Sequence, residues 1–131
     1  MKTLPPGLYG IADSAFGDPI ELAVRLSHAG CKVIQLRAKD CSHSEVLTMA
    51  IRIRQLLPQT LLIINDHTDI AAKSGADGVH LGQTDGNVAD ARAQLGSNAI
   101  VGLSTHNLHQ VLDSSGASYI GFGPVFDTTT K

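Results

Sequence analysis

Asp66 and Asp85 are carboxylates that each follow a short apolar run, with few cations beside them in sequence. Hard oxygen donors supplied one or two at a time, leaving room for phosphate oxygens and water, suit Mg²⁺. Arg37, Lys39 and Lys131 are cations in comparable places, and Ser104, Thr128 and Thr130 are hydroxyls there. Such a set can neutralise a diphosphate and donate hydrogen bonds to its oxygens. A metal-clamped diphosphate is a leaving group, so the chemistry indicated is transfer or cleavage assisted by charge stabilisation. Zinc is disfavoured, because no Cys/His ligand set is legible and Cys31 and Cys41 fit no metal-ligand spacing.

These residues need elements that bring them to one place. The apolar runs are Leu8–Ala12, Val33–Leu36, Leu61–Ile64, Gly78–Leu81, Ile100–Leu103 and Tyr119–Phe122. Their brevity and their Val, Ile and Leu content fit strands buried on both faces of a parallel sheet. Helical signals lie between them. Asp18-Pro19-Ile20-Glu21 offers an N-cap, a proline at N1 and a glutamate at N3, and Ser42-His43-Ser44-Glu45 offers a capping box. Val46, Leu47, Met49, Ala50, Ile53, Leu56 and Leu57 then repeat as one helix face. Further helices are expected at Asp69–Lys73, Val88–Leu95 and Leu108–Ser114. Gly30, Gly75, Gly96 and Gly116 each close a helix and precede a strand, the left-handed C′ position that glycine takes without steric cost.

Alternating β and α segments imply a parallel sheet with right-handed crossovers, either doubly wound or closed into a barrel. No Gly-x-Gly-x-x-Gly turn follows the first strand, which weakens a dinucleotide-binding version. The distribution of polar groups decides between them. All six strand ends carry them: Asp13; Arg37 and Lys39; Asn65 and Asp66; Gln83 and Asp85; Ser104 and His106; Thr128, Thr130 and Lys131. A doubly wound sheet concentrates function at one switch point, whereas a barrel builds its site from all the βα loops. The expected fold is a TIM-type (β/α) barrel, a single domain over residues 1–131, with six of eight βα units present.

Composition narrows the partners. The chain has 131 residues, is 43% hydrophobic and 17% charged, and carries a formal net charge of −2. That balance gives no positive field for nucleic acid or an anionic membrane, so any bound anion is held by local geometry. The two cysteines read as reduced thiols, the N-terminus lacks the apolar segment of a signal peptide, and no run has the length of a membrane span. A cytoplasmic enzyme acting on small molecules is the expectation.

The runs Val33-Ile34-Gln35-Leu36-Arg37-Ala38-Lys39, Ile64-Asn65-Asp66, Gly75-Ala76-Asp77-Gly78-Val79-His80-Leu81-Gly82-Gln83-Thr84-Asp85 and Gly102-Leu103-Ser104-Thr105-His106 come in family-like order. With Tyr119-Ile120-Gly121-Phe122-Gly123-Pro124-Val125-Phe126-Asp127-Thr128-Thr129-Thr130-Lys131, they resemble the thiamine phosphate synthase family from Leu8 onward. The resemblance implies a transferase that joins hydroxymethylpyrimidine diphosphate to hydroxyethylthiazole phosphate, giving thiamine phosphate and diphosphate. It implies Mg²⁺ on Asp66 and Asp85. Arg37, Lys39, Ser104 and Lys131 would engage the diphosphate with Asn65 assisting, and Lys39, Ser104 and Lys131 would be catalytic. Gln35 would address the pyrimidine, and Thr128 and Thr130 would lie near the thiazole phosphate and diphosphate.

Rival readings stand beside these. Asp66 can cap the following helix, and Asp85 can be a turn residue next to Gly86. Asp77 reads as structural at the far end from the chemistry, His80 as a satisfied histidine within a strand, and His28, His43 and His109 as surface or helix positions. His106 stands where thiazole tautomerase relatives of the fold use a histidine. A non-catalytic diphosphate-binding module is the alternative of another class. A closed eight-stranded barrel needs at least about 200 residues. The chain is therefore expected to lack strands seven and eight, as a fragment or a short paralogue, and to have little synthase activity alone. Its open edges at Leu8–Ala12 and Tyr119–Phe122 invite covering by another copy.

Overall fold

A computed structural model of the chain describes residues 2–129. Six strands alternate with helices: β1 (Tyr9–Asp13), α1 (Pro19–His28), β2 (Val33–Arg37), α2 (His43–Leu56), β3 (Leu61–Asn65), α3 (Thr68–Ser74), β4 (Gly78–Leu81), α4 (Val88–Leu95), β5 (Ile100–Thr105), α5 (Leu108–Leu112) and β6 (Tyr119–Phe122). A 3₁₀ turn, Ser14–Phe16, follows β1. The strands form one sheet in chain order, every neighbouring pair parallel, which is the arrangement of a barrel wall and not of a doubly wound sheet. The expected α/β class and six βα-type strands are borne out. Boundaries match the sequence reading or differ from it by one or two residues; α3 gains a residue at each end, and α5 stops at Leu112 because Asp113 already caps it.

The local signals act as their chemistry requires. The Asp18 carboxylate accepts from the Ile20 N–H at 2.9 Å with Pro19 leading α1. Glu21 does not complete a capping box there; it pairs with Arg25 one turn on. Ser42 and Glu45 do complete theirs, each side chain accepting from the other's backbone N–H. Gly75 closes α3 at φ 73°, the left-handed conformation that a side chain resists.

Strand alternation divides the buried residues into two layers. Ile34, Leu36, Leu62, Ile64, Val79, Leu81 and Val101 face the helices and meet Ala23, Val46, Ala50, Ile53, Ile70 and Ala91 in the main core. Burying each of the larger side chains contributes roughly 1.5–3 kcal/mol. The opposite face carries a smaller cluster of Val33, Ile63 and Ile100 with Tyr9, Leu61 and Tyr119 against it. Toward the strands' carboxyl ends that face turns polar, at Gln35, Arg37, Asn65, His80 and Ser104. The middle strands are buried on both faces as expected, but β6 is not: Ile120 is 38% and Phe122 57% exposed. At the other edge Leu8 is 67% and Ile11 50% exposed. Both edges thus present apolar groups to solvent. Among the described residues no helix is long and apolar enough to cross a membrane, and both cysteines are free thiols.

At the amino ends of the strands, Asp77 accepts from Arg54 Nη1 at 2.8 Å, from Lys2 Nζ at 2.7 Å and from the Leu62 N–H at 2.9 Å. Arg54 also donates to the carbonyls of Leu57 and Thr60. Asp77 is the structural residue that its position suggested, locking the entry of β3 and β4 far from the polar rim.

Candidate functional site

The carboxyl ends of the strands gather most of the predicted residues. Asn65 ends β3, and Asp66 follows at φ 66°, a left-handed conformation that aspartate tolerates better than most residues. The Asp66 N–H donates to the His80 carbonyl at 2.9 Å, prolonging the β3–β4 ladder by one residue. Asp66 does not cap α3: the cap position is His67, without a side-chain cap bond. Asp66 shares a concavity with Asp85 instead. Burial, a hydrogen-bonding contact with Asp85 and the Asp85 charge push the Asp66 pKa above the ordinary carboxylate value, against the pull of Lys39 and His67. Lys39 Nζ stands 3.7 Å from Asp66 Oδ2.

Asp85 acts as a turn residue as well. Its Oδ2 accepts from the Gly82 N–H at 2.9 Å, while its own N–H donates to the Gly82 carbonyl. A Cβ at position 82 would intrude on that oxygen, so the glycine lets the carboxylate fold back over the loop. Asp66 and Asp85 line one concavity with His67, Asp69, Asn87 and Asp90. Two facing carboxylates with one nearby ammonium form an oxygen-donor pair short of positive charge, the donor chemistry a hard dication satisfies.

Arg37 ends β2 in register with Asp13 of β1 and donates to its carboxylate at 2.5 Å. Asp13, to which the sequence assigned no role, also accepts from the Ala15 N–H, so it orients the guanidinium and starts the 3₁₀ turn. Gln83 donates to the Ser104 carbonyl at 2.7 Å, tying the β4 loop to β5. His106 makes its ring contact with the Gly123 carbonyl at 2.7 Å, and its N–H donates to the Gln110 side chain. Thr128 is exposed after β6; Thr130 and Lys131 lie outside the described residues.

A feature that sequence reasoning missed joins Gln35 to Ser104 across the inner face. Gln35 Nε2 donates to the Tyr9 hydroxyl at 2.8 Å, and the Tyr9 and Tyr119 hydroxyls are 2.6 Å apart. Tyr119 reaches His80 Nδ1 at 2.9 Å, and His80 Nε2 reaches Ser104 Oγ at 2.8 Å. An amide N–H only donates, which gives the chain its direction. Tyr9 donates to Tyr119, Tyr119 to Nδ1, and Nε2–H to Ser104, whose own O–H is then free to point at a ligand. Run the other way, the largely buried Tyr9 O–H would have no acceptor. Burial drives both tyrosine pKa values upward, so the phenols stay protonated. Gly102 makes room: a Cβ there would overlap the Tyr119 ring and the His80 imidazole. The signal was the two-residue period, which sets Tyr9, Gln35, His80, Ser104 and Tyr119 on one face; each strand was too short for its inward face to be told from its outward one.

A parallel barrel wall with a carboxylate pair, cations and hydroxyls on its carboxyl-end loops defines the class as a TIM-type (β/α) domain. The family model described as thiamine monophosphate synthase matches residues 8–131. The thiamine-phosphate synthase of Chlorobium phaeobacteroides is 40% identical over 135 residues, an alignment taking in 100% of this chain and 66% of that one. That of Caldicellulosiruptor saccharolyticus is 41% identical over 131 residues, with 95% of this chain and 59% of the relative covered. Thiamine phosphate pyrophosphorylase from Pyrococcus furiosus superposes with a TM-score of 0.83 at 31% identity, covering 92% of this chain and 61% of that one. The chain belongs to the thiamine monophosphate synthase family. It spans a little under two thirds of the length of these relatives.

Proposed function

We propose that this chain carries the metal and diphosphate half of a thiamine phosphate synthase site. The whole enzyme would be a cytoplasmic transferase coupling hydroxymethylpyrimidine diphosphate with hydroxyethylthiazole phosphate to give thiamine phosphate and diphosphate. The observation that carries the proposal is the facing Asp66–Asp85 pair with Lys39 beside it. Asp66 and Asp85 would hold Mg²⁺, which when bound neutralises charge on the departing diphosphate.

The remaining steps belong to side chains. Arg37, pre-oriented by Asp13, and Lys39 attract the diphosphate oxygens, with Asn65 assisting at the end of β3. Ser104 donates its hydroxyl proton to one of them, held in that sense by the His80 N–H. Lys131 would add a further cation, and Thr128 and Thr130 would serve the thiazole phosphate. Gln35, one of its two N–H groups given to Tyr9, keeps an amide oxygen that accepts nothing among the described residues and is not sealed away. That oxygen suits an amino group on the pyrimidine ring. As the bond to diphosphate breaks, the cation left on the pyrimidine is captured by the thiazole nitrogen.

The test is Mg²⁺-dependent release of diphosphate on mixing the two substrates with the protein. Metal-independent isomerisation of a thiazole phosphate would support the tautomerase reading, for which His106 is the candidate. Calorimetry with diphosphate and Mg²⁺ alongside turnover separates a binding module from a catalyst.

A further inference from the structure

A second cluster of ligating groups lies beside the carboxylate pair, and nothing in the diphosphate chemistry uses it. His43 is the first residue of α2, His67 caps α3, and Asp69 sits in the first turn of α3. One ligand atom from each lies within 4.8 Å of the other two. His43 Nε2 is 2.9 Å from Asp69 Oδ2, and the two imidazole rings meet edge to face with centroids 5.2 Å apart. We propose that His43, His67 and Asp69 form a second cation site, suited to a borderline divalent ion such as zinc, nickel or cobalt.

The donor set makes the distinction. Two imidazoles and one carboxylate suit borderline transition ions, whereas Mg²⁺ prefers an all-oxygen shell such as Asp66 and Asp85 can give. Three protein ligands with a solvent-facing fourth position is a familiar zinc arrangement. Bonds of about 2.0–2.1 Å in a tetrahedral site put neighbouring ligand atoms roughly 3.3 Å apart. The His43–Asp69 separation of 2.9 Å is already inside that figure and no separation exceeds 4.8 Å, so small side-chain rotations suffice to close the site.

The scaffold is already fixed. His43 is held by the Ser42–Glu45 capping box. The His67 N–H donates to the Asn65 carbonyl at 2.8 Å, and its carbonyl accepts from the Ala71 N–H at 3.1 Å. Burial pushes the Asp69 carboxyl up, but His43, the Ile70 N–H and Lys73 hold it below the ordinary value, so it is an anion available for ligation. The competitor is Lys73, whose Nζ lies 4.0 Å from Asp69 Oδ2 and is mostly exposed. The sequence shows no such set for a physical reason. His43 and His67 are 24 positions apart, and only the packing of α2 against α3 brings them together. A bound ion would clamp these two helices and restrain the residue next to Asp66.

The test is calorimetric titration of the chain with Zn²⁺ in excess Mg²⁺, which occupies the oxygen-donor pair, with Co²⁺ as the absorbance probe. The expected result is one ion per chain and visible d–d bands. His43→Ala, His67→Ala and Asp69→Asn should each weaken binding at least about tenfold, the scale of one lost ligand interaction. His109→Ala, an exposed histidine elsewhere, should leave binding unchanged. Circular dichroism and Mg²⁺-dependent diphosphate affinity establish that the variants fold. Zn²⁺ affinity equal in a His43→Ala/His67→Ala double variant would overturn the proposal. So would loss of Zn²⁺ binding in Asp85→Ala with retention in the histidine variants, or the absence of saturable binding.

Discussion

Asp66 shares a concavity with Asp85 and feels its negative charge, while its own backbone stands at φ 66°. Strain and like-charge repulsion are thus concentrated on one residue, as they are where structure is spent on binding. Without a cation, Asp66 opposes the fold at neutral pH. The sign follows from its raised pKa: its favourable contribution is fully present below the ordinary value of 3.8 and is lost as pH rises through the higher folded value. Asp66→Asn, which also tolerates the left-handed backbone, should therefore raise the metal-free melting temperature at pH 7. The same change should weaken Mg²⁺-dependent diphosphate binding at least about tenfold, or 1.4 kcal/mol. Thermal melts with and without Mg²⁺, paired with calorimetry, check both halves.

Asp85→Ala separates the metal role from the turn role. It removes the Gly82 contact as well as a ligand, so a loss of roughly 1 kcal/mol in stability is expected from the loop alone. Unchanged Mg²⁺-dependent diphosphate affinity in this variant would sink the metal assignment. The metal-free Asp66 pKa should fall when its charged neighbour is gone, and a carboxyl NMR titration reads that directly.

At the far end of the strands, Asp77 behaves oppositely. Burial pushes its pKa up, but Lys2, the Leu62 N–H and Arg54 together hold it below 3.8. Its contribution is therefore present above that value and lost as pH falls through the lower folded value. Asp77→Asn leaves Arg54, whose side chain is 20% exposed, without its carboxylate. Removing one partner of a largely buried pair costs roughly 3 kcal/mol. The variant should melt lower at pH 7, show a flatter acid limb, and keep Mg²⁺-dependent diphosphate affinity. A pH series of melts distinguishes this from a site effect.

Much of this was legible in the chain, for definite reasons. Asp18-Pro19 and Ser42-x-x-Glu45 are local chemistry, so the starts of their helices are read correctly. Valine, isoleucine and leucine runs identify strands buried on both faces, and the polar residue after each run identifies the rim. Pairings across strands were hidden. Nothing near Asp13 in sequence points to Arg37, and nothing near Tyr9 points to Tyr119, 110 positions away. Register makes both contacts, and register is a property of the assembled sheet. The exposure of β6 agrees with the open edge expected at Tyr119–Phe122: composition says a segment is apolar, while its neighbours decide whether it is covered.

The Tyr119 hydroxyl tests the hydrogen-bond chain directly. Tyr119→Phe keeps the ring between Tyr9 and His80 but removes the hydroxyl that accepts from Tyr9 and donates to His80 Nδ1. Roughly 1–2 kcal/mol of stability should be lost. Histidine ¹⁵N shifts should report a single Nε2–H tautomer in the parent and a mixture in the variant. Once Nδ1 can carry the proton, Ser104 can donate to Nε2 instead of outward, and diphosphate affinity should fall several-fold. A variant with the same tautomer and the same affinity would show that Ser104 is oriented by something other than His80. Gly102→Ala reaches the same network by crowding. Its Cβ would push on Tyr119 and His80 together, so about 1–3 kcal/mol of overpacking cost should come with the same tautomer mixture.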